Sequence, residues 1–507
     1  MVQMAGPQGS ELTLAVMATS RKENERRLAL DPRHLSRIPP ELRSRVFLES
    51  GYGASHGFSD AELSEWVGGF GSHDELVASC DVILQPKPIL ADIAELRLNQ
   101  VFWGWPHCVQ DSELTQLAID RRLTLIAFEA MNHWNADGSF SLHVFHKNNE
   151  LAGYSSVLQA LQLTGSTGHY GRRLTAVVIG FGATARGAVT ALNGLGIHNV
   201  DVLTQRGTEA VASPIHSARI VQFENGIGLI DPEQNEAGTE PESVASFLAA
   251  HDVIVNCTLQ NPSEPMMFLT SDDLATLAAG TLIIDVSCDT AMGFSWARPT
   301  SFAEPMFEVG NRIAYYAVDH SPSHLWTSAT WENSNALLAF LPVVLGGPQA
   351  WDADATISRA IEVRDGVVQN PAILAFQGRL PGYPHGPLAS EAAGGGQPHH
   401  TGRRLCTNVL MSFCTRGPTK GRHPVQRVVP SARLDSENNA SRHVTRGARF
   451  SKRGNADSCR LHLAAGLNSG SSVAKVRTGP GPVAAVSKRT VTRPSPDPHT
   501  QPAPWRS

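Results

Sequence analysis

From Leu12 to about Glu129 the chain alternates short β-rich apolar runs with stretches of helical spacing. The runs are LTLAVMA, RVFLES, DVILQP, QVFWGW and TLIAFE. Strands alternating with helices in this way predict an α/β layer built on a parallel sheet. Residues 149–164, NELAGYSSVLQALQLT, place Leu151, Tyr154, Leu158 and Leu161 three and four positions apart. Behind Asn149, a residue type that caps helix N-termini, this spacing predicts a helix joining two domains.

The next segment, RRLTAVVIGFGATARGAVTALNGLG, is an apolar run that breaks at Gly180 into a glycine turn and then into Ala, Val and Leu at helical spacing. Strand candidates VDVLT, DVIVNC and TLIIDVS follow, so residues 147–320 predict a second doubly wound sheet. Helical patterns at Asn333–Leu345 and Ile357–Glu362 fall within 321–375, which is expected to fold back on the first domain. From about residue 381 the chain turns rich in Gly, Pro, Ser, Arg and His, with no long apolar periodicity, a composition that predicts disorder.

Composition sharpens this division. At 41% hydrophobic and 18% charged residues with a net charge of −5, the chain has the balance of an ordinary globular protein, and its 507 residues have room for two or three domains. Yet 19 of its 42 basic residues and only 5 of its 47 acidic residues fall in 381–507, giving an acidic body and a basic tail. The tail shows neither aromatic interleaving nor an RNA-binding motif, so no nucleic-acid partner is expected. Two readings of it stand: a solvated extension, or out-of-frame sequence, since an abrupt switch to Arg, Pro, Ser and His is what a GC-rich gene yields off frame. No apolar stretch approaches the roughly 20 residues of a membrane span, and no basic region precedes Leu12–Ala18, so a cytoplasmic protein is expected. Cysteines 80, 108, 257, 288, 406, 414 and 459 show neither metal-ligand spacing nor a CxxC pair, and are read as reduced structural thiols with no metal site.

Gly180, Gly182 and Ala185 form a GxGxxA dinucleotide fingerprint in its required context of strand, turn and helix. The first glycine makes the turn, the second admits the pyrophosphate to the backbone, and the helix N-terminus faces the phosphates. The second strand, VDVLTQRG, ends in Thr204 where NAD sites usually place an acid, and Arg206 two residues on suits a 2′-phosphate. NADPH is therefore expected over NADH.

The stretches ENERRLALDP, ESGYGASHGFSD, ILQPKP, WGWPHC, NELAGYSSVLQAL, GTLIIDVSCD and YYAVDHSPS, spread from Leu12 to Leu345, together resemble the alanine dehydrogenase and pyridine nucleotide transhydrogenase family. Within it the chain is most similar to the N5-(carboxyethyl)ornithine synthases, with lysine-forming saccharopine dehydrogenase more distant. The resemblance implies two Rossmann-like domains. The substrate (catalytic) domain takes 12–146 plus 321–375, the NAD(P)-binding domain 147–320, and the tail 381–507 has no counterpart. It also implies that Arg27 and Lys87 hold a substrate carboxylate, that His107 is the catalytic histidine, and that Asp289 is the active-site aspartate, with Asp285 its structural or cofactor-facing rival. Asn149 falls where the family helix meets the cofactor phosphates, and His320 where an asparagine near the nicotinamide is common.

Chemistry supports these assignments independently. A 2-oxo acid needs cations at its carboxylate, which arginine grips bidentately. Loss of water from a carbinolamine needs an acid and a base near neutral pH, where histidine titrates. A carboxylate beside the substrate stabilises a positive iminium. Trp103, Trp105, Tyr315 and Tyr316 either line a pocket or pack a strand core. The expected reaction is reductive condensation of pyruvate with an amino-acid amine. The alternatives are alanine dehydrogenase, and a non-catalytic nucleotide-binding module like that of transhydrogenase. The resemblance further implies a homo-oligomer whose partners are a small-molecule 2-oxo acid and an amine.

Overall fold

A computed structural model describes residues 12–205, 218–224, 228–230, 242–260 and 265–388. Arg206 and all of the tail beyond residue 388 lie outside the described residues.

The first sheet is built from β1 (Leu14–Val16), β2 (Val46–Glu49), β3 (Gly69–Gly71), β4 (Val82–Leu84), β5 (Val101–Gly104) and β6 (Thr124–Ala127). A small hairpin, β7 (Asn132–Trp134) and β8 (Phe140–His143), leads into the helix His146–Leu163. The second sheet contains β9 (Thr175–Ile179), β10 (Asn199–Thr204), β11 (Arg219–Glu224), β12 (Gly228–Ile230) and β13 (Val253–Asn256). A side ladder pairs β14 (Met267–Leu269) with β16 (Gly293–Phe294), around β15 (Leu282–Asp285). β17 (Met306–Val309) and β18 (Ile313–Tyr316) complete that sheet, and β19 (Ile361–Arg364) and β20 (Val367–Val368) return to the first.

The two sheets repeat one winding. The first runs β3-β2-β1-β4-β5-β6 in parallel and the second β11-β10-β9-β13-β15-β18, so in each the chain reverses direction beside its first strand. That reversal opens a crevice at the carboxyl ends of the strands, where ligands of doubly wound sheets bind. Central strands are apolar on both faces because helices cover both sides. LAV, VIL, VFWG, VIVN and LIID are buried at every position. Antiparallel strands close the edges: β19 and β20 on β6, β12 on β11, and β17 on β18.

Three local expectations are corrected. The 149–164 helix begins at His146 behind Phe145, so Asn149 sits inside the first turn rather than at the cap. The pattern at Ile357–Glu362 is a helix only as far as Ala360 (Ala355–Ala360). Ile361, Glu362 and Val363 belong to β19, where β-branched residues pair with β6. The helix expected at Asn333–Leu345 starts earlier, as Trp326–Leu337, and continues through a 3₁₀ turn into Leu341–Leu345. Among the described residues no helix is long and apolar enough to cross a membrane.

Candidate active site

The carboxyl ends of both sheets border one cleft of about 1000 Å³. Arg27, Lys87, His107, Asn149, Gly180, Gly182, Thr204, Asp289 and His320 all line it, so residues scattered over nearly 300 positions of sequence converge there.

On the first-sheet side, Lys87 follows β4 and His107 follows β5. Their side chains meet: Lys87 Nζ donates to His107 Nε2 at 3.1 Å. Burial and the Lys87 charge hold the imidazole well below its ordinary pKa, so it is neutral near pH 7 and Nε2 accepts. Nδ1 then carries the proton, 3.7 Å from Glu129 Oε1. His107 itself adopts φ +50°, a left-handed backbone, and its N–H is tied to Glu129 Oε1 at 2.7 Å. Burial lowers the Lys87 pKa, against Asp319, whose Oδ1 lies 3.6 Å away. Burial works to raise the Asp319 pKa, but Lys87, His320 and Lys22 outweigh it and hold the carboxyl well below its usual range. Lys22 Nζ lies 2.9 Å from the other Asp319 oxygen.

Arg27, in the loop after β1, is gripped by Glu25. Nε donates to Oε1 at 2.8 Å, and a second contact joins Nη2 to Oε2. Nη1 reaches Asn148 Oδ1 at 3.1 Å, and the guanidinium lies 5.0 Å from the centre of the Trp105 ring. The side edge of the fork is thus taken by Glu25, while the terminal edge has N–H groups to spare for a carboxylate. Ser323, from the segment after β18, donates to Glu25 at 3.0 Å and fixes the pair from the other side.

On the second-sheet side, Gly180 has φ +113°, and a Cβ there would stand 2.9 Å from the Cys257 carbonyl oxygen, so only glycine fits the turn. Gly182 is the N-cap of the helix Ala183–Gly194, and a Cβ on it would meet nothing within 4 Å. The cradle therefore opens to the cleft with the free N–H groups of the first helical turn around it. Ala185 is fully buried on the inner face of that helix, where its small side chain packs against the sheet and does not line the cleft. Thr204 ends β10 at the cleft wall, whose neighbouring residues Leu203, Gln205, Phe223, Leu259 and Met266 form a largely apolar slot. Asn149 Oδ1 is a buried acceptor without a hydrogen-bond partner. The glycine cradle, the slot and this orphaned amide together fit a dinucleotide.

Asp289 lies four residues beyond the end of β15, in the loop rather than on the strand. Its Oδ1 is buried and unpartnered, and burial, followed by the charge of Asp285, pushes the carboxyl up to about 8. Asp285 is instead spent on structure: Asn256 and Tyr315 donate to it at 3.0 and 2.5 Å, and burial pushes it up to about 6. His320 has φ +44°, its Nε2 is 2.7 Å from the Glu23 carbonyl, and its Nδ1 is 3.5 Å from Asp319. Of the four aromatics, only Trp105 reaches the cleft; Trp103, Tyr315 and Tyr316 are fully buried side chains of the sheet cores.

Sequence reasoning missed Glu25, Glu129, Asn148, Asp319 and Lys22. Glu129 closes the run TLIAFE and Asp319 precedes His320, so strand-end position offered a signal for both. Glu25, beside Arg27 in a charged loop, offered none.

Comparison with known proteins agrees with this architecture. Residues 16–152 match the alanine dehydrogenase/PNT N-terminal domain and residues 159–371 the alanine dehydrogenase/PNT C-terminal domain. The chain belongs to that family. Alanine dehydrogenase of Mycobacterium tuberculosis (strain ATCC 25618 / H37Rv) is 23% identical over 64% of this chain and 85% of its own length. N(5)-(carboxyethyl)ornithine synthase of Clostridium botulinum (strain Hall) is 24% identical over 62% of this chain and 89% of its own. A solved L-alanine dehydrogenase superposes with a TM-score of 0.57 at 19% identity, covering 72% of this chain and 99% of that one. Transhydrogenase from Sinorhizobium meliloti gives 0.53 at 20% identity, covering 70% and 99%. The family membership makes this an oxidoreductase-type chain, and the superpositions show a shared fold. Among the described residues no group of His, Cys, Asp and Glu is arranged to hold a metal ion.

Proposed function

We propose that the protein is an NAD(P)-dependent oxidoreductase acting on a C–N bond next to a carboxylate. In this reading it reductively condenses a 2-oxo acid such as pyruvate with the amine of an amino acid. The observation that carries the reading is the Lys87–His107 contact of 3.1 Å, set in the same cleft as the glycine cradle. A nucleotide carrier has no use for a buried lysine poised on a neutral imidazole.

Arg27 and Lys87 hold the 2-oxo acid carboxylate, Arg27 by its terminal N–H edge and Lys87 as a point charge. His107, neutral through burial and Lys87, takes a proton from the attacking amine and returns it to the departing hydroxyl as water leaves. Asp289, protonated near pH 7 when no cation stands beside it, gives its proton to the carbonyl oxygen as the amine adds, making it the hydroxyl that leaves, and the carboxylate so formed stabilises the positive iminium. A bound nicotinamide coenzyme supplies the reducing equivalents for the C=N bond. Gly180, Gly182, Thr204, Asn149 and His320 are the cleft residues that would hold it, and the lack of a carboxylate at Thr204 favours NADPH over NADH.

The amine is read as that of an amino acid because the stretches AGYSSVLQAL and YYAVDHSPS resemble the N5-(carboxyethyl)ornithine synthases. The test is oxidation of NADPH and of NADH by purified protein with pyruvate plus, in turn, ammonia, ornithine and lysine. Turnover with a diamino acid alone is expected. Turnover with ammonia alone would make the protein an alanine dehydrogenase, and nucleotide binding without turnover on any amine would leave the carrier reading. In an active protein, His107→Ala is expected to cut turnover by about 10²–10⁴-fold with nucleotide affinity unchanged.

A further inference from the structure

Lys87 Nζ donates to His107 Nε2 at 3.1 Å, so the lone pair that must accept the substrate proton is already occupied. A base cannot act through a nitrogen that is holding another N–H, and the ammonium has to leave Nε2 before His107 can work. The structure holds a second acceptor for it. Asp319 Oδ1 lies 3.6 Å from Nζ, too far for a hydrogen bond, and among the described residues no donor hydrogen-bonds to that oxygen. The side chain is more than nine-tenths buried, where an ionised oxygen left unpaired is costly. Its other oxygen is 2.9 Å from Nζ of Lys22, in the loop after β1, which anchors the carboxylate from the far side. Reaching the roughly 2.8 Å of a charge-assisted hydrogen bond asks the ammonium to move by under about 1 Å, within the swing of a lysine's last bonds. Val318 and His320 line the cleft, whereas Asp319 and Lys22 do not, so Asp319 reaches the reaction through Lys87.

We infer that Asp319 is a positioning residue that draws the Lys87 ammonium off His107, freeing Nε2 to take the proton of the attacking amine. One hydrogen bond, Nζ–H to Nε2, is exchanged for another, Nζ–H to Oδ1. Lys87 keeps its charge, and no covalent bond forms or breaks in the exchange. The movement also relieves a repulsion. Once Nε2 is protonated His107 is a cation, which an ammonium 3.1 Å away opposes and an ammonium paired with Asp319 opposes far less. Lys22 sets how strongly the carboxylate pulls, because it shares the same anion. Burial works to raise the Asp319 pKa, but Lys87, His320 and Lys22 hold it well below the usual range, so the acceptor is an anion near pH 7. The charged groups around His107 are Lys87 after β4, Glu129 after β6, Asp319 after β18, and Lys22 and Arg27 in the loop after β1; Glu25 of that loop also acts on Lys87. Glu25, Arg27, Glu129 and His320 stay unchanged in the test.

The inference rests on His107 being the base of the proposed reaction, but its test needs no turnover. His107 is titrated by NMR in full-length protein with labelled histidines, its resonance assigned by loss in His107→Asn. Lys22→Met leaves the carboxylate to Lys87 alone, and the His107 titration is expected to rise by about one pH unit. Asp319→Asn leaves the ammonium no anion to move to, and the titration is expected to fall by about as much. Each change also acts on the imidazole directly, and a Lys87→Met background measures that part. There, each shift is expected to shrink to less than about half. Should Asp319→Asn fail to fold, the Lys22→Met shift with and without Lys87 decides by itself. A titration that rises in Asp319→Asn would mean that Asp319 only keeps Lys87 charged, and shifts of equal size with and without Lys87 would mean that Asp319 and Lys22 act on the imidazole directly. Either result, or no shift, overturns the inference. If turnover is found, the pH limb of kcat belonging to His107 moves with the NMR titration. Failure of every amine to support turnover would reject the proposed reaction and leave the titration result standing.

Discussion

Gly187→Ala tests whether the nucleotide cradle depends on the packing of one helix pair. The helix His146–Leu163 crosses the helix Ala183–Gly194 at Gly153 and Gly187. A Cβ at Gly187 would stand 1.8 Å from the Glu150 carbonyl oxygen, and one at Gly153 2.0 Å from that of Thr184. Cβ atoms keep at least 3.0 Å from such a neighbour, so an alanine at 187 must push the helices apart by more than about 1 Å. The obstacle is backbone, with no side chain to swing away, which puts the cost near the upper end of the ~1–3 kcal/mol of overpacking. Alanine returns about 1 kcal/mol of helix propensity, leaving a net loss of about 2 kcal/mol. At about 2–4 °C per kcal/mol the melting temperature should fall by about 4–8 °C. The displaced helix carries the cradle at its N-terminus, so nucleotide affinity should fall with it. Gly194→Ala, where a Cβ meets nothing within 4 Å, is the matched control and should not destabilise. The assay is thermal melting with and without NADPH, plus fluorescence titration of the nucleotide. If Gly187→Ala melts and binds as the wild type does, the close crossing does not hold the cradle, and the reasoning fails.

Two pH-dependent predictions follow from buried acids of opposite sign. Burial works against the charge of Asp201, but hydrogen bonds from His251 at 3.1 Å and Arg219 at 2.8 and 3.0 Å outweigh it and lower its pKa to about 2. A depressed acid stabilises the fold above its unfolded value near 3.8 and loses that contribution as pH falls through 2. Asp201→Asn should therefore cost about 1–2 kcal/mol in denaturant unfolding at pH 7, and the gap to wild type should close between pH 4 and 2. A gap that persists at pH 2 would mean the loss is one of packing. Asp289 is raised to about 8, so the native state holds its proton more tightly than the unfolded chain and loses stability as pH climbs from about 4 through 8. Asp289→Asn, neutral throughout, should gain on wild type over that window in the nucleotide-free protein. Equal stability of the two at pH 9 would show that Asp289 is not the buried, uncompensated acid the geometry describes.

The reading of the chain from its residues succeeded where local signals are strong. The runs LTLAVMA, DVILQP, TAVVIG and DVIVNC are apolar on both faces, and that pattern has few uses outside a helix-covered parallel sheet. Gly180 and Gly182 could be picked out because turn, strand and helix stand together in one stretch. The Ile357–Glu362 segment failed for the opposite reason. It is short and ambiguous, and β6 settled it by supplying a pairing edge for Ile361 and Val363.

By itself the sequence determined the α/β class, the glycine turn, and a set of charged residues at strand ends, because periodicity and turn chemistry act over a few neighbouring residues. Only the tertiary structure decided what those charges do. It put Lys87 on His107, spent Asp285 on Tyr315 and Asn256 while leaving Asp289 free, and tied Arg27 to Glu25 with a serine nearly 300 residues away. It also bulged β19 at Glu362, where the local pattern reads as helix. The protonation state of a buried group is set by burial and by neighbours distant in sequence, and neither quantity exists until both sheets have closed around the cleft.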